Sequence, residues 1–241
     1  MKIEFCLPVY NESQIIQKNL AELLKYCKNQ DFPFDWQIVL IVNGSNREFE
    51  ELAKRIADSS DQKIKTVIYQ KDGKGRAIKK YASESSAEIL VYMDSDLAVS
   101  LENLPMLINP IIRGKADLVI GSRMLPTSKR KRSWPREASS RIYVLLSQLI
   151  LRHRFSDMQC GFKAIKLGLF IKLIPSIHDN YWFFDTELIY FAKKSKATIL
   201  EIPVDWSENR YQLRKSKISI IKHGLIFVLR LIQLRLRRKI D

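Results

Sequence analysis

The amino-acid sequence predicts an α/β fold in which helices flank a mainly parallel β-sheet. Short apolar runs alternate through the first half with longer stretches whose apolar residues recur at helical spacing. Each longer stretch can hold a helix of roughly 10 to 15 residues, which suits the crossover that joins parallel strands. The chain has 241 residues, 46% of them hydrophobic, so it can bury a sizeable core in one large domain.

The first half is predicted to contain five strands with helices between them. The strands, in chain order, are the runs KIEFCLPVY, WQIVLIV, KIKTVIY, EILVYMD and ADLVIGSR. Leu52 and Ile56 mark the second helix, and the segments KGRAIKKYASES and LENLPMLINPIIRG supply the next two. The helix after the first strand is predicted from five apolar residues on one face: Ile16, Leu20, Leu23, Leu24 and Cys27.

The second half has a different pattern. A basic loop, TSKRKRSWPRE, precedes an apolar helix, IYVLLSQLIL, and the segments DMQCGFKA, NYWFFDTELIYFAKK and TILEIPVDW follow. A basic tail rich in Leu and Ile begins at Ser216. We expect residues 1–211 to form one domain with halves at 1–123 and 124–211, and residues 212–241 to form a basic amphipathic helix.

The charge balance indicates an anionic partner. Lys and Arg outnumber Asp and Glu by 41 to 26, a formal net charge of +15, which leaves nucleic acid, a phosphorylated substrate and an acidic membrane surface open. Cys6, Cys27 and Cys160 form no CxxC pair, which favours a reducing compartment. We expect no signal peptide, and no spanning helix because no run of about 18 uncharged apolar residues occurs.

Four polar motifs follow the first four predicted strands. They are PVYNE, NGSN, KDGKGRA and DSD, in chain order. Ligands of parallel sheets bind beyond the carboxyl ends of the strands. The sequence therefore predicts that all four motifs converge on one crevice.

The DSD motif places Asp94 and Asp96 on either side of Ser95, directly after a buried strand. Residues i and i+2 of a strand point to the same face, so the two carboxylates would repel each other unless a cation lies between them. Mg²⁺ or Mn²⁺ suits this position, because such hard cations prefer oxygen ligands and are often shared with substrate phosphates. The alternative is a pair of solvated aspartates in a turn.

The KDGKGRA loop is predicted to hold phosphate. It offers backbone N–H groups at Gly73 and Gly75 and cations at Lys74 and Arg76, at the start of a helix. The alternative is an ordinary turn before a basic helix, and the glycine spacing is not that of a Walker loop. Together with the DSD motif, the loop indicates a nucleoside diphosphate.

The ordered set of motifs resembles glycosyltransferase family 2. The segments PVYNE, NGSN, GKGRA, DSD, GSR, DMQCGFKA and FFDTELIYFAKK occur in the order that this family shows, over nearly the whole chain. The branch that acts on dolichyl or polyprenyl phosphate, with glucosyltransferases nearest and mannosyltransferases next, is the most similar. The resemblance implies the GT-A fold, a Rossmann-like sheet with a nucleotide-sugar half at 1–123 and an acceptor half at 124–211.

The resemblance also implies a donor site. In the implied site, Glu12 accepts a hydrogen bond from the ribose or base of the nucleoside, and Lys74 lies on the side of the diphosphate. Asp94 and Asp96 bind Mg²⁺ or Mn²⁺ together with the diphosphate. The implied donor-binding residues are Pro8, Tyr10, Asn11, Glu12, Asn43, Gly44, Ser45, Gly73, Lys74, Gly75, Asp94, Ser95 and Asp96.

One departure from the family pattern affects the base. The family usually has two acids where this chain has Val42 and Asn43, and one of those acids normally contacts the base. Asn43 can still accept a hydrogen bond, but it brings no charge and adds donors. The choice of base is therefore open.

The acceptor side is implied by three further residues. Arg123, Arg136 and Ser140 occupy places similar to those that hold the acceptor phosphate in related mannosyltransferases. For Arg136 and Ser140 the alternative is a solvated charge and a helix cap. Asp185 and Glu187 are candidates to orient the sugar or the acceptor, or else serve as a helix cap and a first-turn acid. The implied catalytic residues are Asp94, Asp96, Arg123, Asp185 and Glu187.

The implied reaction is inverting transfer of a sugar, with UDP-glucose the favoured donor, to a polyprenyl or dolichyl monophosphate at the cytoplasmic face of a membrane. GDP-mannose as donor and another glycan as acceptor are the alternatives. A nucleotidyltransferase could also combine a Gly-Lys loop with metal-binding acids. A nucleic-acid-binding protein is the rival class, and we expect no nucleic-acid partner because no helix-turn-helix, zinc-finger or aromatic RNA-binding signature is present.

The basic segments suggest how a protein of this kind reaches a lipid. Ser216 to Lys239 interleaves basic residues with an Ile/Leu face, the pattern of an interfacial helix on an anionic leaflet. The loop from Lys129 to Arg132 is expected to guide the lipid phosphate towards Arg123 and Arg136. The alternative for the tail is a helix that packs on the core.

Overall fold

A computed structural model describes residues 1–131, 134–207 and 220–237. The strands in these ranges are β1 (Lys2–Val9), β2 (Asp35–Asn43), β3 (Ile64–Tyr69), β4 (Ile89–Met93), β5 (Leu118–Ser122), β6 (Lys129–Lys131), β7 (Phe162–Lys166), β8 (Ile199–Pro203) and β9 (Asp205–Ser207). The α-helices are α1 (Ser13–Asn29), α2 (Arg47–Asp58), α3 (Lys74–Glu84), α4 (Leu104–Ile112), α5 (Trp134–Leu151), α6 (Leu167–Leu173), α7 (Phe184–Lys194) and α8 (Ile220–Leu236).

Seven strands form one sheet in the order β3-β2-β1-β4-β7-β5-β8. All neighbours in it pair in parallel except β7, which runs antiparallel to both β4 and β5. Ala164 of β7 lies opposite Val91 of β4 and Val119 of β5. The predicted mainly parallel sheet is confirmed, and both halves of the chain contribute to it. A separate parallel ribbon joins β6 to β9.

Each face of the sheet packs against its own apolar core. Alternate residues of a strand point to opposite faces, so Phe5 and Leu7 pack on the side of α1, α2 and α4. Cys6 of the same strand packs on the side of α3, α6 and α7. The predicted apolar face of α1 is confirmed, since four of its residues are fully buried and Leu24 packs against them. Each fully buried leucine contributes about 1.5–3 kcal/mol to folding.

The described part of the basic tail is α8, which packs alongside α5. Leu231 and Leu234 are fully buried in the second core, and Phe227 packs against it. This helix therefore rests on the domain through one face, while Leu229 and Leu236 on its other face are exposed. The remainder of the segment predicted to be a helix lies outside the described residues. None of the helices in the described ranges has the length and apolar character to cross a bilayer.

Candidate active site

The loops that follow β1, β2 and β3 meet at the carboxyl edge of the sheet. Asn11 N donates to Ser45 Oγ at 3.2 Å, and Asn11 Oδ1 accepts from Asn46 N at 3.0 Å. Gly73 N, in the loop after β3, donates to Asn43 Oδ1 at 3.0 Å. These bonds tie three of the four predicted motifs together.

The loop after β4 joins the same group. Ser95 Oγ donates to the Glu12 carboxylate, and Asn19 Nδ2 donates to Ser95 O at 2.7 Å. Tyr10 is exposed and Pro8 is half-buried beside it. The predicted convergence of the four motifs is present in the structure.

Asn43 is buried and makes hydrogen bonds within the protein. Its Nδ2 donates to Val9 O at 2.8 Å and to Ile41 O at 3.3 Å, and its Oδ1 accepts from Gly73 N. Both amide hydrogens of Asn43 are thus directed at backbone carbonyl oxygens, so donation from Asn43 to a nucleotide base would require one of these bonds to break. In the structure, Asn43 fixes the ends of β1 and β2 and the loop after β3. Gly44 supports the same junction by donating its N–H to Tyr69 O at 2.8 Å.

The glycines of the loop after β3 permit close packing. Gly73 has φ +124°, and a Cβ there would lie 2.5 Å from Asn180 O. A Cβ on Gly75 would lie 2.5 Å from Cβ of Phe184, at the start of α7. The backbone N–H of Arg76 donates to Asn180 O at 3.0 Å. The N–H of Gly73, which was predicted to hold phosphate, is engaged by the asparagine at the end of β2, so the predicted cradle is only partly available.

Asp94 at the end of β4 turns its carboxylate towards solvent. Its side chain is 50% exposed, and Lys74 Nζ lies 2.9 Å from Oδ1. Asp94 N donates to Gly161 O at 3.1 Å, and a Cβ on Gly161 would collide with the carboxylate. Asp96, two residues on, accepts from Ala98 N at 3.2 Å. Within the described residues, no group of three or more metal-ligating side chains occurs.

A line of alternating charges leads from Asp94 into the interior. Lys74 Nζ lies 3.4 Å from Oδ2 of Asp185, and Asp185 Oδ1 accepts from Lys163 Nζ at 2.6 Å and from Tyr92 OH at 2.9 Å. Burial alone would raise the pKa of Asp185, but Lys163 and Lys74 hold that pKa below its usual value. Burial opposes the charge on Lys74, yet Asp185 and Asp94 together raise the pKa of this lysine. Asp185, predicted to orient substrate, is buried and positions Lys74.

Arg123 directly follows β5 and lies close to Asp94 in a cleft of the structure. Its Nε and Nη2 donate to the two carboxylate oxygens of Asp157 at 2.6 and 3.0 Å, and its guanidinium lies 5.7 Å from the ring of Trp206. Burial would raise the pKa of Asp157, but Arg123 holds it below its usual value. Asp94, Arg123, Cys160 and Trp206 line one cleft, so one predicted metal ligand, Asp94, lies together with one predicted acceptor residue, Arg123.

Three other predicted residues lie elsewhere or are only partly described. Glu187 is fully buried, where Oε2 accepts from Asp179 N at 2.7 Å. Its Oε1 forms an ion pair with Arg237 Nη1 at 2.7 Å, but the angle between the two groups does not suit a hydrogen bond. Glu187 therefore supports a loop and the tail. Ser140 is half-buried on α5, and Arg136 belongs to the first turn of α5, but its side chain lies outside the described residues.

Asp157 and Lys163 hold predicted site residues in place but were not themselves predicted from the sequence. Both lie in the segment DMQCGFKA, which the resemblance singled out without assigning roles to its charges. The signal was a lysine within an otherwise apolar strand, since a lysine is almost never fully buried unless it is paired. Its partner, Asp185, could not be identified from spacing alone.

A family model matches most of the chain. Residues 4–174 match Glycosyl transferase family 2. The chain belongs to this family, as the ordered motifs indicated.

Curated relatives align over most of this chain but are longer. Glycosyltransferase AglD of Haloferax volcanii is 32% identical over 210 residues, which are 86% of this chain and 33% of AglD. Dolichyl-phosphate beta-glucosyltransferase ALG5D of Trichomonas vaginalis is 28% identical over 229 residues, which are 90% of this chain and 68% of that protein. The chain thus spans about a third of the first relative and two thirds of the second.

The fold is shared with solved structures. Glucosyl-3-phosphoglycerate synthase from Mycobacterium tuberculosis, solved with Mn²⁺, UDP-glucose and phosphoglyceric acid, superposes with a TM-score of 0.67 at 16% identity. The match covers 97% of this chain and 79% of that chain. Mannosyl-3-phosphoglycerate synthase from Rubrobacter xylanophilus gives 0.66 at 16% identity, covering 98% and 74%. The implied GT-A fold is confirmed.

Proposed function

We propose that this chain transfers glucose from UDP-glucose to a polyprenyl or dolichyl monophosphate, with inversion at the sugar. The observation that carries the proposal is the half-exposed carboxylate of Asp94, which contacts Lys74 and shares a cleft with Arg123. Transfer between two phosphate-bearing substrates needs such a site, with ligands for a diphosphate on one side and a cation for a second phosphate on the other. The relatives named dolichyl-phosphate beta-glucosyltransferase support the sugar and the acceptor.

In the proposed reaction an oxygen of the lipid phosphate attacks C1 of glucose. The new C1–O bond forms as the bond from C1 to the β-phosphate oxygen breaks, and the electron pair leaves with UDP. Attack from the face opposite the leaving group inverts the anomeric centre, so an α-linked donor gives a β-linked product. The lipid phosphate is already an anion near neutral pH, so no protein base has to remove a proton from it.

The donor would be held by the two carboxylates that follow β4 and by Lys74 at the start of α3. Mg²⁺ or Mn²⁺ bound by Asp94 and Asp96 would stabilise the negative charge of the departing diphosphate. A solved neighbour in complex with Mn²⁺ and UDP-glucose supports this ion and this donor. Lys74, fixed by Asp185, would bind a diphosphate oxygen, and the loop that includes Glu12 would contact the nucleoside.

The acceptor phosphate would bind at Arg123. Two of its guanidinium nitrogens are fixed by Asp157, so its orientation is set before the phosphate arrives. Such pre-organisation reduces the cost of binding. Arg136 and Ser140 are proposed to complete this phosphate site from α5.

A peripheral position on the cytoplasmic face of a membrane completes the proposal. Exposed leucine and isoleucine side chains on α5 and α8 lie on two helices that pack against each other. Together with the net charge of +15, they support attachment to an anionic leaflet. The more than half-exposed members of this surface are Ile142, Leu145, Leu149, Leu229 and Leu236.

Transfer of radiolabelled sugar into an organic-extractable lipid tests the proposal. The full chain is incubated with polyprenyl phosphate, Mn²⁺ and either UDP-glucose or GDP-mannose. We expect label in the lipid from UDP-glucose, and none after chelation of the metal. Transfer from GDP-mannose alone would show that the donor is wrong. Binding of DNA or RNA without any transfer would contradict the enzymatic function.

A further inference from the structure

A chain of contacts connects α8 to the donor side of the site. Its centre is the loop of residues 177–183, which precedes α7. On the tail side, the Arg230 guanidinium contacts the Asp179 carboxylate, and Arg237 pairs with Glu187. Both acids are buried, so Arg230 of α8 and Arg237, which directly follows α8, have partners inside the domain. A surface helix that served only as an anchor would not need these partners.

Asp179 also fixes the start of α7. Its Oδ1 accepts from Tyr181 N at 2.7 Å and from Phe184 N at 3.1 Å, while Oδ2 faces Arg230. Phe184 is the first residue of α7 and directly precedes Asp185. One carboxylate therefore holds α8, the loop and the turn that carries Asp185.

The loop of residues 177–183 also holds the start of α3. Asn180 O accepts from Arg76 N at 3.0 Å and lies where a Cβ on Gly73 would be. Lys79 Nζ, one turn further along α3, donates to the carbonyl oxygens of Ile177 at 2.8 Å and Asp179 at 3.0 Å. Lys74 begins this helix, so its backbone position depends on the loop.

We propose that Asp179 is a positioning residue through which the seating of α8 fixes Lys74 opposite Asp94. The role of Lys74 as a ligand of the diphosphate rests on the proposed function. When Arg230 no longer contacts Asp179, the loop of residues 177–183 loosens and the start of α3 loosens with it. The affinity for the nucleotide-sugar donor then falls, although every residue that binds the donor is still present.

Hydrogen–deuterium exchange of the full chain tests this coupling without any ligand. In Arg230→Gln we expect amide exchange within residues 72–77 and 179–184 to accelerate about tenfold, the equivalent of one charge-assisted hydrogen bond. Exchange in β1 and β4 should not change. Arg230→Lys keeps the charge and should restore most of the protection. Arg113→Gln, which removes an exposed arginine at the end of α4, is the matched control.

Calorimetry with UDP and Mn²⁺ gives the functional readout. The Kd should rise about tenfold in Arg230→Gln and in Asp179→Asn, and the double variant should be no weaker than either single variant, because both remove the same contact. Unchanged exchange in residues 72–77 would overturn the proposal. Equal acceleration in β1 and β4 would also overturn it, because it would show a general loss of stability. Failure of the wild type to bind UDP would count against the proposed function, while the exchange data would still decide the coupling.

Discussion

The two sides of the cleft differ in how far their charged side chains are exposed to solvent. On the side built by the first half of the chain, the Asp94 side chain is 50% exposed and its partner Lys74 is 20% exposed. On the other side, the Arg123–Asp157 and Lys163–Asp185 pairs, in which only Arg123 comes from the first half, are buried. Loss of an exposed carboxylate costs little stability, whereas loss of one member of a buried pair leaves an uncompensated charge. Exposure therefore separates the carboxylate that is proposed to bind a cation, Asp94, from the acids that hold Lys74 and Arg123 in place, Asp185 and Asp157.

Substitution of the two carboxylates that follow β4, Asp94 and Asp96, should have the largest effect, and the effect should be on turnover. In Asp94→Asn and Asp96→Ala we expect transfer to fall about 10³-fold, since a group that stabilises developing charge is lost. In Asp94→Asn the melting temperature should stay within about 2 °C, because a half-exposed carboxylate contributes little to folding. Asp61→Asn, at an exposed surface ion pair, is the control. Near-normal turnover in a chelator-treated variant would show that the metal role is wrong.

Substitution of the buried Asp157 should mainly lower the stability of the fold. Asp157→Asn leaves Arg123 without its partner, so the free energy of unfolding should fall by about 3 kcal/mol in a urea titration. Asp117→Asn removes a partly exposed pair with Lys166 and should cost less than about 1 kcal/mol. Equal losses in the two variants would contradict the contrast between the two sides.

The pH dependence of stability follows from the pair formed by Arg123 and Asp157. The pKa of Asp157 is lowered in the folded state, so its stabilising contribution is present above the unfolded pKa of about 3.9 and is lost as the pH falls below it. The wild type should therefore lose stability more steeply below about pH 4 than Asp157→Asn does.

The smallest expected effect lies outside the cleft, on the exposed surface of α5 and α8. Leu145→Ser combined with Leu229→Ser should weaken flotation with anionic vesicles about tenfold, through loss of apolar insertion. Added salt should weaken it further, since the basic side chains act by screened attraction. Met106→Ser, on the exposed face of α4 at the opposite side of the sheet, is the control. Equal flotation of all variants would show that this surface is not the anchor.

The sequence predicted the features that depend on local order along the chain. Apolar spacing identified the strands and the buried face of α1, and the rule for parallel strands brought the four motifs together. The place of β7 in the sheet and the partners of Lys163 and Asp179 depend on contacts between residues far apart in sequence, so no local pattern encodes them. The sequence around Asn43 would look the same whether its side chain bound a ligand or joined loops. Only the structure shows that its polar atoms join loops.

The antiparallel β7 has a consequence for biosynthesis. β4 and β5 leave the ribosome well before β7, yet β7 lies between them in the sheet. A nascent chain that ends after β5 therefore cannot complete its sheet, because the strand that lies between β4 and β5 has not yet been made. Gly161, just before β7, also contacts Asp94, so the carboxylate reaches its final surroundings only when the second half of the chain has been synthesised.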